Sequence, residues 1–140
     1  MVHALRETHR VLKPGGILID LRPAPVHRRI GIEIEGQFEL LAVMTEKLDD
    51  DHTANRAVAE VVEDGLFEPV SRARFDCKRV MGSLKDFRAW LDEFVTGVRM
   101  PSQDRLFQKI VRAYEFADGR KKVVIRGPLV LRGLRKVEID

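Results

Sequence analysis

The segment from Ala4 to Arg22 constrains the fold of this chain more than any other stretch, because it combines a helix, a sharp stop and a strand. The helix is predicted by small and apolar residues that recur every three or four positions, namely Ala4, Leu5, Thr8, Val11 and Leu12. Pro14 cannot continue a helix, and the glycines after it permit a sharp reversal of the chain. Ile17–Leu21 then carries aliphatic side chains on both faces, which is typical of a strand buried on both sides in a parallel sheet that helices cover.

The stop between this helix and this strand is the most specific motif of the chain, Leu12-Lys13-Pro14-Gly15-Gly16. With its flanks it resembles the L-x-E-x-x-R-V-L-K-P-G-G-x-L segment of class I S-adenosylmethionine (SAM)-dependent methyltransferases of the type 11 group. In that family the segment forms the helix before the fifth strand of the sheet, and then the strand itself. We predict a structural role for the motif, which ends a helix and starts a strand, and we do not predict Lys13 to be catalytic.

The resemblance also implies an α/β fold, the C-terminal half of a Rossmann-like methyltransferase with a mixed sheet. In that fold the last strand runs antiparallel between the fifth strand and the sixth. The three strands would here be Ile17–Leu21 as the fifth, Phe67–Met81 as the sixth and Lys121–Ile139 as the seventh. We expect one domain over residues 1–140, with a hairpin insertion at 29–43 and a helical insertion at 84–117 that forms a lid over a substrate pocket.

Local patterns in the first half of the chain agree with this order of elements. Alternating side chains predict a hairpin over Arg29–Val43, with Gly36 at the first central position of a type II′ turn. Three aspartates, Asp49–Asp51, precede an apolar helical stripe, and a helix dipole favours negative charge at its start. Gly65 stands where a C-terminal cap glycine belongs, so the sequence predicts a helix between these two points.

Two helices are predicted within residues 84–117. Ser83 and Asp86 resemble a capping box before the first helix, and Pro101-Ser102 ends that region and caps the second. Aromatic side chains at helical spacing favour a packed core, and they leave open a hydrophobic substrate pocket. The residues concerned are Phe87, Trp90, Phe94, Phe107 and Tyr114.

Long strands are predicted in the second half of the chain. Phe67–Met81 alternates in polarity, with Cys77 among its less polar positions. Because one cysteine cannot form an internal disulfide and no base stands near it in the sequence, a buried and inert thiol is the favoured interpretation. Lys121–Arg126 and Leu129–Ile139 are predicted to form a closing hairpin around Gly127-Pro128.

The part of the family domain that holds SAM has no counterpart in this sequence. The family binds its cofactor with a Gly-rich turn after the first strand and an acidic residue after the second. The closely spaced glycines here, such as Gly15-Gly16, do not follow a strand and open a helix, as that mechanism requires. We expect no cofactor to be bound by this chain alone, whereas the complete family domain, whose first half would lie before Met1, uses SAM.

Three polar residues are the candidates for substrate binding. Asp20, Arg22 and His27 lie at or just past the carboxyl end of the first predicted strand, and ligands of doubly wound sheets bind outside the carboxyl ends of their strands. The alternative is that Asp20 and Arg22 pair with each other and that His27 is an exposed loop residue.

Other kinds of site have weaker support. The four histidines lack the spacing of metal ligands, and no nucleophile elbow is present, so we predict no metal site and assign no catalytic residue. Basic residues in the second half of the chain leave open an RNA-binding face. They are Arg72, Arg74, Lys78, Arg79, Arg120, Lys121, Lys122, Arg132, Arg135 and Lys136.

Composition limits the class of protein. With 44% hydrophobic and 34% charged residues, the 140-residue chain has the composition of a globular protein. No apolar run approaches the roughly 20 residues needed to cross a bilayer, and the expected compartment is cytoplasmic. The net charge of +3 is small for a dedicated nucleic-acid binder, which makes nucleic acid an unfavoured partner.

Three functional hypotheses follow from these features. The chain is the substrate-side half of a SAM-dependent methyltransferase that acts on a small molecule, inactive without the missing N-terminal half. Alternatively, it is a stand-alone association module, a homodimer formed through the unpaired edge of the strand Ile17–Leu21. The third hypothesis, an RNA-binding accessory, rests on the basic residues alone.

Overall fold

The computed structural model describes residues 1–45, 47–94 and 103–138. These residues form four helices and five strands in a mixed α/β arrangement. In chain order they are α1 (Val2–Val11), β1 (Ile17–Pro23), β2 (Arg29–Ile34), β3 (Gln37–Val43), α2 (Asp49–Glu63), β4 (Phe67–Met81), α3 (Leu84–Phe94), α4 (Gln103–Phe116) and β5 (Lys121–Lys136). The strands form one open antiparallel sheet, where the sequence predicted a mixed one.

The chain divides into two compact units. The first unit comprises Met1–Pro25, Leu48–Phe75 and Pro128–Asp140, and the second comprises Val26–Lys47 and Asp76–Gly127. Strands β4 and β5 each contribute residues to both units.

In the first unit, β1 pairs antiparallel with the C-terminal part of β5, from Ile17 opposite Arg135 to Pro23 opposite Leu129. Helices α1 and α2 pack against this part of the sheet. Their shared core consists of Leu5, Ala57, Val58, Val61, Phe67 and Leu134. The prediction of α2 is confirmed at both ends, since the helix starts at Asp49 and Gly65 follows it with a φ of 73°.

In the second unit, β2 pairs with β3 and with the N-terminal part of β5. The predicted hairpin is confirmed, but the predicted type II′ turn is wrong. Glu35 and Gly36 both have positive φ, 46° and 85°, between the paired residues Ile34 and Gln37, which is the pattern of a type I′ turn. Helices α3 and α4 contribute to the core of this unit, which contains Ile30, Met44, Met81, Phe87, Trp90, Leu91, Ile110, Val123 and Ile125.

The prediction that β1 is buried on both faces is wrong. Ile17, Ile19 and Leu21 are 50%, 58% and 51% exposed, and only the opposite face of the strand is covered. The reason is that β1 lies at the end of the sheet order and its unit places helices on one face. The strand also continues through Pro23, since an edge strand accepts a proline that lacks an N–H.

Two predictions about the later strands are also wrong. β5 is one continuous strand, because Gly127-Pro128 lies between Arg126, which pairs with β2, and Leu129, which pairs with β1. Neither of these two ladders uses the N–H that proline lacks. Cys77 is exposed and not buried, as are all residues between the ends of β4. The predicted cap at Pro101-Ser102 lies outside the described residues.

Candidate functional site

Asp20 and Arg22 lie side by side on the covered face of β1, where the period of a strand places alternate residues. Arg22 donates hydrogen bonds from Nε to Oδ1 and from NH2 to Oδ2 of Asp20, over 2.7 and 2.8 Å. Their side chains are only 18% and 11% exposed. The local pairing that the sequence offered as the alternative is therefore formed, in a bidentate geometry that holds Arg22 firmly.

Arg132 joins this pair from the neighbouring strand. It lies directly opposite Asp20 in the register of β1 and β5, with NH1 3.7 Å from Oδ2 of Asp20. Its NH2 donates a hydrogen bond over 3.0 Å to Oδ1 of Asn55, in the first half of α2. Arg132 therefore makes a hydrogen bond to a neutral amide, whereas the carboxylate of Asp20 attracts it from beyond hydrogen-bond distance.

Arg72 completes the group from β4. A Cβ on Gly133 would contact Oγ of Ser71 and would lie 3.3 Å from Cγ2 of Val70, so this part of β4 lies beside Gly133 of β5. Arg72 follows Ser71 on β4 and Arg132 precedes Gly133 on β5, so the two arginines lie on neighbouring strands close to this contact. We call Asp20, Arg22, Asn55, Arg72 and Arg132 the arginine cluster.

Positive charges repel one another within the arginine cluster. Burial lowers the pKa of Arg132, the charges of Arg22 and Arg72 lower it further, and Asp20 acts in the opposite direction. The arginine cluster contains three guanidinium groups and one carboxylate, which is an excess of two positive charges. Guanidinium groups bind carboxylates and phosphates through paired hydrogen bonds, so the chemistry available here is the binding of an anion.

The sequence identified part of this group. Asp20 and Arg22 pair with each other, as in the alternative that the sequence left open, whereas the third candidate, His27, belongs to the second unit and is exposed there. Arg132 was recognised only as one of many basic residues, and Asn55 carried no signal. Strand periodicity fixes the face on which Arg132 lies, but the register that places it opposite Asp20 is a long-range property.

The other candidate sites have structural explanations. Phe87 and Trp90 are buried in the core of the second unit, and Phe107 and Tyr114 pack against it, which favours core packing over a substrate pocket. The side chain of Phe94 lies outside the described part of the chain. Within residues 1–45, 47–94 and 103–138 no three His, Cys, Asp or Glu side chains converge as a metal site would require.

Several of the basic residues considered for RNA binding form ion pairs. Lys78 pairs with Glu33 over 2.9 Å, and Arg135 pairs with Glu68 over 3.0 Å. Lys136 donates to the carbonyl oxygen of Leu12 over 2.7 Å. These contacts favour a solvated surface of paired charges.

Within the described residues of the second unit, two open depressions have the volume of a small-molecule site. One, of about 310 Å³, is lined by Glu33, Glu35, Gly36, Arg120 and Lys122, and Glu35 there accepts a hydrogen bond from the backbone of Arg120. The other, of about 440 Å³, runs along the charged face of α4. Both are lined by charged surface side chains, so neither offers the apolar lining typical of a small-molecule pocket.

Among the described helices, none is both long and apolar enough to cross a membrane. Comparisons with family models, with curated proteins and with solved structures found no match for this chain.

Proposed function

We propose that this chain is the substrate-side half of a SAM-dependent methyltransferase that acts on a small molecule, and that this half is inactive alone. The observation that carries the proposal is the pairing order of three strands. β5 pairs antiparallel with β1 and also pairs with β4. This order agrees with the end of the class I methyltransferase sheet, where the last strand lies between the fifth and the sixth.

The contacts of the Lys-Pro-Gly-Gly motif agree with a structural role. The N–H of Gly16 donates to the carbonyl oxygen of Lys13 over 2.8 Å, which closes the turn after α1. Lys136 donates from its backbone to Gly16 over 2.8 Å and from Nζ to Leu12 over 2.7 Å. The motif therefore joins the start of β1 to the end of β5.

The described residues do not fit SAM itself. Gly15, with a φ of 67°, and Gly16 precede a strand, whereas a cofactor-binding turn follows a strand and opens a helix. A Cβ on Gly16 would approach the carbonyl oxygen of Lys13 to 2.8 Å, so the turn itself explains this glycine. We therefore assign the chain to the side of the methyl acceptor and derive no step through the cofactor.

The test is to extend the reading frame upstream in the genome and to express both products. We expect a Gly-x-Gly-x-Gly segment about 100 residues before Met1, since a complete domain of ordinary size begins there. SAM titrated calorimetrically should bind the longer product with a micromolar Kd and should not bind the present chain. Micromolar binding by the present chain, or an upstream frame without the glycine segment, would contradict the proposal.

A second candidate function, association into a homodimer, is favoured by the exposure of β1. Within the described residues β1 ends the sheet order, and its outward row Ile17, Ile19 and Leu21 is half exposed. An edge strand with an apolar row is a template for pairing with another chain, which folded proteins avoid or cover.

A second copy of the chain fits this edge by charge. If two β1 strands pair antiparallel with Leu21 on the two-fold axis, each Asp20 lies opposite the Arg22 of the other copy. The two apolar rows then become neighbours on one face, as an isologous interface requires.

Light scattering coupled to size exclusion tests this candidate at micromolar concentration. We expect a dimer that Ile19→Lys converts to a monomer, because the substitution places a charge in the paired edge. Val11→Lys on α1 is the matched control, since Val11 is 65% exposed and Ile19 is 58% exposed. A monomeric wild-type chain, or equal effects of the two substitutions, would rule out this interface.

A further inference from the structure

The arrangement of charges in the arginine cluster differs from that of an ordinary surface ion pair. Both oxygens of Asp20 accept hydrogen bonds from Arg22, so the one carboxylate of the cluster is already engaged. Arg132 has its NH1 3.7 Å from that carboxylate and gives its other terminal nitrogen to the neutral Asn55. The hydrogen-bonding capacity of Arg132 toward an anion is therefore only partly used.

Arg72 and Arg132 stand next to the contact between Ser71 of β4 and Gly133 of β5, and like charges close together on adjacent strands destabilise a sheet. The side chain of Arg132 is only 21% exposed, so water solvates its charge less well than that of the exposed Arg72. An oxyanion placed between the two guanidinium groups would relieve this repulsion.

We propose that Arg132 and Arg72 bind an oxyanion, a carboxylate or a phosphate, carried by the small molecule on which the protein acts. Asn55 and Asp20 are positioning residues, since the first orients Arg132 and the second fixes Arg22 beside it. The inference deepens the proposed function, on which its reference to a methyl acceptor rests, whereas the binding of an anion is a property of this chain alone.

The location of the cluster is compatible with a ligand site. Asp20 and Arg22 stand in the C-terminal half of β1, and Asn55 stands in the first half of the helix that follows in the same unit. Their side chains meet Arg132 on the covered face of β1, and the side chain of Arg132 remains 21% exposed, so a dissolved anion can reach it.

The experiment uses the intact chain and two probes, inorganic phosphate and acetate, at an ionic strength held constant with sodium chloride. Binding is followed by NMR through the arginine Nε–H signals. We expect saturable shifts of the Arg132 signal with phosphate or with acetate, and the stronger probe identifies the anion class. Arg132→Gln and Arg72→Gln should each weaken binding by about tenfold, through the loss of charge-assisted hydrogen bonds.

Arg135→Gln is the matched control, because Arg135 lies three residues further along β5 on the opposite face and pairs with Glu68. It removes the same charge and should leave the affinity within about twofold. Equal weakening by Arg135→Gln, or shifts no larger than those caused by chloride, would overturn the proposal.

A second measurement, the thermal unfolding midpoint, separates a loss of anion binding from a loss of folding. Without added anion, Arg72→Gln should raise the thermal unfolding midpoint at low salt, because it removes repulsion and leaves the Arg132–Asn55 bond in place. A lowered midpoint would indicate a structural Arg72 and would contradict the inference. Neither measurement involves SAM, so anion binding can fail while the SAM titration of the longer product succeeds, and the reverse.

Discussion

Lys78 on β4 donates a hydrogen bond from Nζ to Oε2 of Glu33 on β2 over 2.9 Å. This bond is the largest cause of a lowered pKa at Glu33. Burial acts in the opposite direction, and the charges of Lys78, Lys122 and Arg126 lower the pKa further. The carboxylate form of Glu33 is thus favoured in the folded chain.

The consequence is a pH dependence of stability. The pKa of Glu33 in the folded chain lies below its ordinary value of 4.5. The contribution of Glu33 to the free energy of unfolding is therefore complete above pH 4.5. The contribution is lost as the pH falls through the folded-state pKa. The urea concentration at the midpoint of unfolding should fall as the pH drops below about 5. We expect this fall to be smaller in Glu33→Gln than in the wild-type chain. Glu39→Gln, at an exposed carboxylate of β3, is the control, and an equal flattening by both variants would contradict the argument.

Gly31 of β2 is predicted to tolerate no side chain. A Cβ there would overlap the backbone carbonyl of Glu39 and would lie 2.8 Å from the ring of Phe38. The backbone cannot yield without breaking the β2–β3 ladder, so Gly31→Ala should lower the free energy of unfolding by more than about 3 kcal/mol.

The control for Gly31→Ala is Gly127→Ala on β5. There a Cβ would lie 3.2 Å from the side chain of Arg28, which needs to shift by a few tenths of an ångström, whereas no backbone atom stands in the way. Urea denaturation followed by circular dichroism measures both variants. If Gly31→Ala loses no more stability than Gly127→Ala, the close approach of β2 and β3 at this glycine is wrong.

Local patterns predicted those elements whose determinants lie close together in the sequence. The bounds of β4, the start of α2 at Asp49 and the hairpin around Gly36 all depend on neighbours within a few residues. The turn type was missed because Glu35 adopts a positive φ of 46°, which is uncommon for a residue with a side chain.

Features that depend on distant partners were not predictable in this way. The aliphatic pattern of β1 gave no indication that one face would lack a covering layer, and the same holds for Cys77 on β4. In the arginine cluster, the i, i+2 spacing of Asp20 and Arg22 was sufficient to raise their pairing as an alternative to substrate binding. Arg132 stands 112 positions after Asp20, and only the register of β1 with β5 brings the two together.

The N-terminus of α3 offers a test of a feature that the sequence did predict. The backbone N–H of Asp86 donates to Oγ of Ser83 over 3.0 Å, and the Ser83 hydroxyl donates to Oδ2 of Asp86 over 2.8 Å. Ser83→Ala removes the acceptor for this N–H and should lower the free energy of unfolding by about 1 kcal/mol. Lys85→Ala, at an exposed position of the same helix, should change it by less than about 0.5 kcal/mol. Urea denaturation measures the free energy of unfolding of both variants. Equal losses in Ser83→Ala and Lys85→Ala would show that the cap does not stabilise the helix.

The exposed thiol of Cys77 provides a direct test of how β4 is covered. Thiol–disulfide exchange requires access to the sulfur, so the folded chain should react with an aromatic disulfide reagent about as fast as the urea-unfolded chain does. The control is Val58→Cys in a Cys77→Ser background, because Val58 is only 5% exposed on α2 and a thiol there should be protected until the chain unfolds. Protection of Cys77 to the level of this control would mean that a layer covers this part of β4, which would restore the buried thiol that the sequence predicted.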